Sequence, residues 1–90
     1  MFVVTDFTKP EHPQYKATSA KEIKSLVMKI THDKKEANKS VELASEMGFG
    51  GKYECEKYRL EHISEYEYLW RKRWKRIIEN IAQKDDVDYE

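Results

Sequence analysis

Lys52-Tyr53-Glu54-Cys55-Glu56-Lys57-Tyr58-Arg59-Leu60-Glu61-His62 is the stretch whose conformation decides the fold. From Lys52 to the end of the chain there is neither glycine nor proline, and Ile63 is the only β-branched residue between 52 and 76. Glu, Lys, Arg and Leu are frequent there, a composition that favours helix. The rival reading makes 52–62 a strand paired with the N-terminal residues. Against it, the apolar parity switches between Cys55 and Tyr58, and a strand with one buried face should keep its parity. Helix is therefore the preferred reading. A helical wheel then gathers Cys55, His62, Ile63, Tyr66, Leu69, Trp70, Ile77 and Ile81 in one broad sector, with Trp74 at its edge. Ser64 and Glu67 have capping-box spacing, so the helix expected over 52–83 is either one long element or broken near Ser64.

Upstream, Ser19 and Glu22 form another capping box. Ile23, Leu26, Val27 and Ile30 follow at i, i+3, i+4 and i+7, predicting a helix over 19–31. Asp33 and Glu36 repeat the cap spacing and predict a second helix over 34–47, with a thin inner face of Ala37, Val41 and Ala44 flanked by Leu43 and Met47. Gly48 supplies a left-handed stop, and Gly50-Gly51 complete the break. Phe2 to Phe7 carry two valines and two phenylalanines and read as a short strand over 2–7. Lys9-Pro10-Glu11-His12-Pro13 then forbids helix and favours an extended connection. A solitary strand must pair with a later strand, a partner, or the same strand of a second subunit in a homodimer.

These elements make the expected fold mainly α, with three helices and one short N-terminal strand. The first helix is expected to pack on the C-terminal stripe, with the second closing the layer. The alternative is α+β with 52–62 as a second strand. Residues 1–84 form one small domain, and the acidic segment 85–90 is expected to fray.

The chain has 90 residues and a mass of 10.8 kDa, too little for two cores. A compact fold of this length has a radius of gyration near ~12 Å, which leaves little room for a deep cavity. Seventeen basic residues balance seventeen acidic ones, so net charge selects no partner. One cysteine, Cys55, excludes an internal disulfide and suits a reducing cytosol. No run approaches the roughly 20 apolar residues of a membrane span, and Met1-Phe2-Val3-Val4-Thr5-Asp6 lacks the basic and continuous apolar regions of a signal peptide. Eleven aromatic residues argue against disorder. The expectation is a soluble cytoplasmic domain.

The densest chemical signal is Arg71-Lys72-Arg73-Trp74-Lys75-Arg76, five cations in six residues, preceded by Trp70. On a helix Lys72, Lys75 and Arg76 face away from the Trp70/Ile77/Ile81 stripe. Such a ridge suits an acidic protein surface or phosphate. It also suits ordinary solvated surface, with Glu67–Arg71 and Lys75–Glu79 as four-apart pairs. Burying one indole contributes about 4 kcal/mol by area, so the small core has a claim on the tryptophans. With Tyr66 and Tyr68 beside them, however, one stripe cannot hide every ring, and tryptophan with arginine is also the chemistry of interface hot spots.

Val41-Glu42-Leu43-Ala44-Ser45-Glu46-Met47-Gly48-Phe49 resembles the first helix and turn of a helix-turn-helix, on Ala44, Gly48 and the apolar Leu43, Met47 and Phe49. The segment from Gly50 to Arg59 looks like the second half in the AraC-type regulators. That resemblance implies DNA contact through Lys52, Tyr53, Lys57 and Arg59, although Glu54 and Glu56 on the same helix would repel phosphate.

Catalytic patterns are poor. His12, His32 and His62 are scattered, Cys55 and His62 lie two helical turns apart, and Gly48-Phe49-Gly50-Gly51 lacks the lysine and preceding strand of a phosphate loop. Neither an enzyme nor a cofactor or metal site is expected, and Glu65, Glu67 and Glu79 with the acidic tail disfavour an anionic membrane. The expected function is a non-catalytic interaction protein that modulates a larger protein partner through Tyr68, Lys72, Arg73, Trp74, Lys75 and Arg76. Its composition is of the kind that phages and mobile elements use against host machinery. A DNA-binding regulator is the alternative.

Overall fold

The computed structural model describes the backbone of residues 1–88 and the side chains of residues 1–79. In chain order its elements are β1 (Phe2–Asp6), β2 (Gln14–Ala17), α1 (Ala20–Thr31), α2 (Lys34–Glu46), β3 (Lys52–Glu54), β4 (Tyr58–His62) and α3 (Glu65–Asp88). The architecture is α+β, with a four-stranded antiparallel sheet in the order β2-β1-β4-β3. The expectation of a mainly α fold with one strand is overturned, and so is the helix over 52–62.

The parity switch at Cys55 has a simple cause: the segment is two strands joined by a turn. Cys55 N donates to Tyr58 O at 3.0 Å, closing the hairpin. Antiparallel pairing sets Tyr53 opposite Leu60, so odd residues on β3 and even residues on β4 share a face. Only β4 reaches the N-terminal strand, pairing Phe2 with His62 and Val4 with Leu60. β1 is thus bonded on both sides within the chain, to β2 and β4, and the open edge that suggested a homodimer is filled.

One sheet face carries Val4, Ala17, Tyr58 and Leu60, which pack with Ile23 and Val27 of α1 and Ala37 and Ala44 of α2. α1 therefore covers the sheet beside α2, not the C-terminal stripe as expected. Both helix starts follow their caps: Ser19 Oγ accepts from Glu22 N, and Asp33 Oδ1 accepts from Lys35 N and Glu36 N. His32 closes α1 in the left-handed region at φ 55°, which allows α2 to begin at once. α2 ends at Glu46 with Met47 extended, and the positive φ of the following loop falls on Gly50, at 85°, not on Gly48.

The other sheet face is covered only at one end. Val3 packs there with Ile63 and Tyr68, the latter from the first turn of α3. Ser64 caps that helix, its Oγ accepting from Glu67 N at 3.1 Å. Twenty-four residues at 1.5 Å rise make α3 roughly 36 Å long. It carries the molecule to extents of 52 × 27 × 17 Å and a radius of gyration of 15.4 Å, above the ~12 Å of a compact chain this size. The side chains of the segment expected to fray, 85–90, lie outside the described residues.

Candidate functional site

The sheet face that α1 and α2 leave bare is polar by alternation. Residues of β1 and β4 that point away from the core include Thr5, opposite Arg59, and Glu61, opposite Val3. Glu61 is buried, and its carboxylate takes Arg71 Nη1 of α3 at 2.5 Å and Arg59 Nη1 at 3.7 Å. Arg71 also reaches Glu67 at 3.4 Å, and Arg59 reaches Glu54. One buried carboxylate is thus clamped between a strand guanidinium and a helix guanidinium, and a charge-assisted, partly desolvated contact of this kind is directional. Its hydrogen bond to Glu61 raises the Arg71 pKa above its already high ordinary value. With Lys16–Glu65 at 3.3 Å and Tyr68 on Val3, this clamp fixes the angle at which α3 leaves the sheet.

Beyond Arg71 the helix carries its large apolar residues in solvent. Trp70 is 51% exposed and Trp74 48%, with Leu69, Ile77 and Ile78 also exposed. The indoles, four residues apart, stack at 5.5 Å between centroids and 10° between planes. Neither is taken into the core, which draws on valine, leucine, isoleucine and tyrosine from the sheet and the first two helices.

The residues expected to contact a partner separate into groups. Tyr68 is 7% exposed and belongs to the packing under the sheet; Lys72 Nζ lies 4.8 Å from its ring centroid, a cation–π contact. Lys72, Arg73, Trp74, Lys75 and Arg76 are all exposed. At 100° per residue Lys72 lies opposite Trp70 and Trp74, with Arg76 and Lys75 to either side of it at about 140° and 120° from the indoles, while Arg73, about 80° from them, projects from the flank of Leu69 and Ile77. Lys75 and Trp74 share an open groove of about 830 Å³ between α3 and the β1–β2 connection, whose far wall is Glu11, His12 and Gln14. Ile81, placed on the apolar stripe by the sequence, has its side chain outside the described residues.

The residues of the alternative DNA-binding reading are not brought together. Lys52 and Lys57 are exposed on β3 and on the hairpin turn. Tyr53 turns to the helical layer, donating from its hydroxyl to Glu36 Oε1 at 3.0 Å. Arg59 turns to the opposite face, bonded to glutamates and stacked over Phe7. With 52–62 formed as two strands, the recognition helix of a helix-turn-helix does not exist at this position.

Glu36 was legible only as a capping residue, yet it accepts from both Tyr53 and Tyr58, the latter at 2.8 Å. Burial, then the hydrogen bond to Glu36, drive the Tyr58 pKa far above the ordinary phenol value, and the Tyr53 pKa rises for the same two reasons. His62, with Nδ1 2.9 Å from Met47 O, lies between the rings of Phe2 and Phe49 at 4.4 and 4.3 Å. Among the described residues, no group of three His, Cys, Asp or Glu side chains is placed to hold a metal ion, and no helix is long and apolar enough to cross a membrane.

Missing from the sequence reading were Glu61 and the part Arg59 plays beside it, Arg59 having been read only as a DNA contact, as well as the Glu36–tyrosine pair and the far wall of the groove. All depend on the β3–β4 hairpin or on β2. Strand alternation in Tyr58-Arg59-Leu60-Glu61-His62 is the signal that would have placed the first two. No family model, curated protein or solved structure matches the chain.

Proposed function

We propose that the chain is a non-catalytic interaction protein that binds and modulates a larger protein partner through α3. The observation that carries this reading is the pair of stacked, half-exposed indoles on a helix projecting beyond the sheet. A rigid aromatic pair gives a partner a large area to desolvate at little entropic cost, because the two rings already hold each other in place. The neighbouring cations contribute complementarity and association rate more than affinity. Holding α3 to the sheet through Arg71 and Glu61 presents the indoles at a fixed angle, so less ordering is left for the moment of binding.

The test is affinity capture with nuclease-treated lysate, followed by binding of the retained protein to purified variants. A partner held in stoichiometric amount should be lost with Trp70→Ala/Trp74→Ala and only weakened by any one lysine substitution. Retention that ignores the double tryptophan variant would refute the reading. So would a nucleic-acid ligand, which for five neutralised phosphates gives log K against log salt a slope of about −4.5.

A further inference from the structure

We infer that the groove between α3 and the β1–β2 connection is a seat for an acidic peptide segment of the partner, one that carries a large apolar side chain among its carboxylates. The inference rests on the interaction reading above and adds where the partner binds and by what chemistry. The groove is open along its length and, at about 830 Å³, lies within the size range of sites that enclose a ligand. One wall supplies Trp70, Trp74 and Ile78, and the rim supplies Lys72, Lys75 and Arg76. Arg71 also lines it but is already matched by Glu61 and Glu67. Among the described residues, none of the ion pairs engages Lys72, Lys75 or Arg76. An apolar wall beneath three cations left without a described carboxylate is complementary to an apolar anchor flanked by acids.

The same lining selects a peptide over a nucleic acid. Glu11 and Glu79 stand in the groove with the cations. A phosphate backbone carries its charge at every step and would have to pass both carboxylates. A peptide places its acids only where the lysines and arginine are and can lay neutral residues against Glu11 and Glu79. The concave wall formed by Glu11, His12 and Gln14 also favours a narrow segment over a flat protein surface.

The probe is a fluorescein-labelled twelve-residue peptide of Asp and Glu with two Phe placed four residues apart. Its controls are a twin with Asn and Gln in place of the acids, a twin with Ala in place of Phe, and a labelled twelve-nucleotide oligothymidylate. Anisotropy titrations should show saturable binding of the acidic Phe peptide to the full chain. Affinity should fall at least about tenfold for either twin, and likewise for Lys75→Glu/Arg76→Glu. Gln14→Trp fills the groove from an exposed strand position without changing any residue of α3 and should also abolish binding, while the circular dichroism spectrum and urea midpoint report that the variant is folded. Equal binding of the neutral twin, tighter binding of the oligothymidylate, or indifference to Gln14→Trp would overturn the inference. Proportional growth of a second-copy complex in sedimentation, in place of peptide binding, would overturn it too. The failures stay separable: if a captured partner depends on the indoles but not on Gln14, the groove inference falls and the interaction reading stands.

Discussion

The layer of α1 and α2 on the sheet and the C-terminal helix treat their apolar residues in opposite ways. In the former, Val4, Val27, Ala37, Tyr58 and Leu60 are fully inaccessible. On α3, Leu69, Trp70, Trp74 and Ile78 are each about half open to solvent. The first region spends its hydrophobic surface on its own stability. The second is anchored through a glutamate and two arginines and leaves that surface available. The comparison teaches that a ninety-residue chain with few large aliphatics can build its core from valine, alanine and tyrosine and keep both tryptophans outside it.

Truncation in the two regions should separate them most. Leu60→Ala empties a site enclosed by sheet and helices and should lower unfolding free energy by about 2–5 kcal/mol in urea titrations. An effect under ~1 kcal/mol would mean that this layer is not close-packed. Second in size is the clamp. Arg71→Ala leaves the buried Glu61 with Arg59 alone and should cost about 1–3 kcal/mol. It should also raise amide exchange in the first turns of α3 more than in β1, and uniform loss would deny the clamp its local role.

The third measurement is alkaline stability. Tyr58 and Tyr53 ionise less readily folded than unfolded, because burial and the Glu36 carboxylate oppose a phenolate. Their contribution is fully present below the unfolded phenol pKa of about 10, and above it the unfolded chain sheds protons that the folded one retains. Stability should therefore fall with rising pH above that point, by up to about 1.4 kcal/mol per pH unit for Tyr58, with Tyr53 adding in the same direction. Tyr58→Phe should shallow the slope, and an unchanged slope would remove Tyr58 from the account. The smallest effect belongs to α3's exposed rings: Trp74→Ala should shift unfolding free energy by no more than about 0.5 kcal/mol. A loss the size of the Leu60 effect would show that the indole supports the fold and is not reserved for a partner.

Local signals of helix starts were fully legible: Ser19, Asp33 and Ser64 each accept the backbone hydrogen bonds that their spacing implied. Residues 52–62 were not, because the charged residues Lys52, Glu54, Glu56, Lys57, Arg59 and Glu61 have good helix propensity, and it is overridden only by the β3–β4 pairing and by the pairing of β4 with β1. The parity flip that argued against one strand was the mark of two strands with a turn between. β2 was hidden for another reason. Four residues after a proline-rich connection give too short a pattern to read, and Tyr15 and Ala17 face the core only because β1 sets the register. The site followed the same division: exposed indoles and cations on one helix could be anticipated from their excess over a small core. The groove that holds them opposite Glu11, His12 and Gln14 could not, since it requires knowing which sheet face the helix overhangs.

The sheet order also has a consequence for biosynthesis. β1 lies in the interior of the sheet, yet its Phe2 partner on β4 is His62, so one side of β1 has no neighbour until some sixty residues more have been translated. At roughly 5–20 residues per second that wait lasts several seconds, long against the microseconds in which the β1–β2 hairpin can close. During it the nascent hairpin displays a valine-rich edge that other chains could capture, and a ribosome pause before β4 emerges should promote aggregation far more than a pause after it.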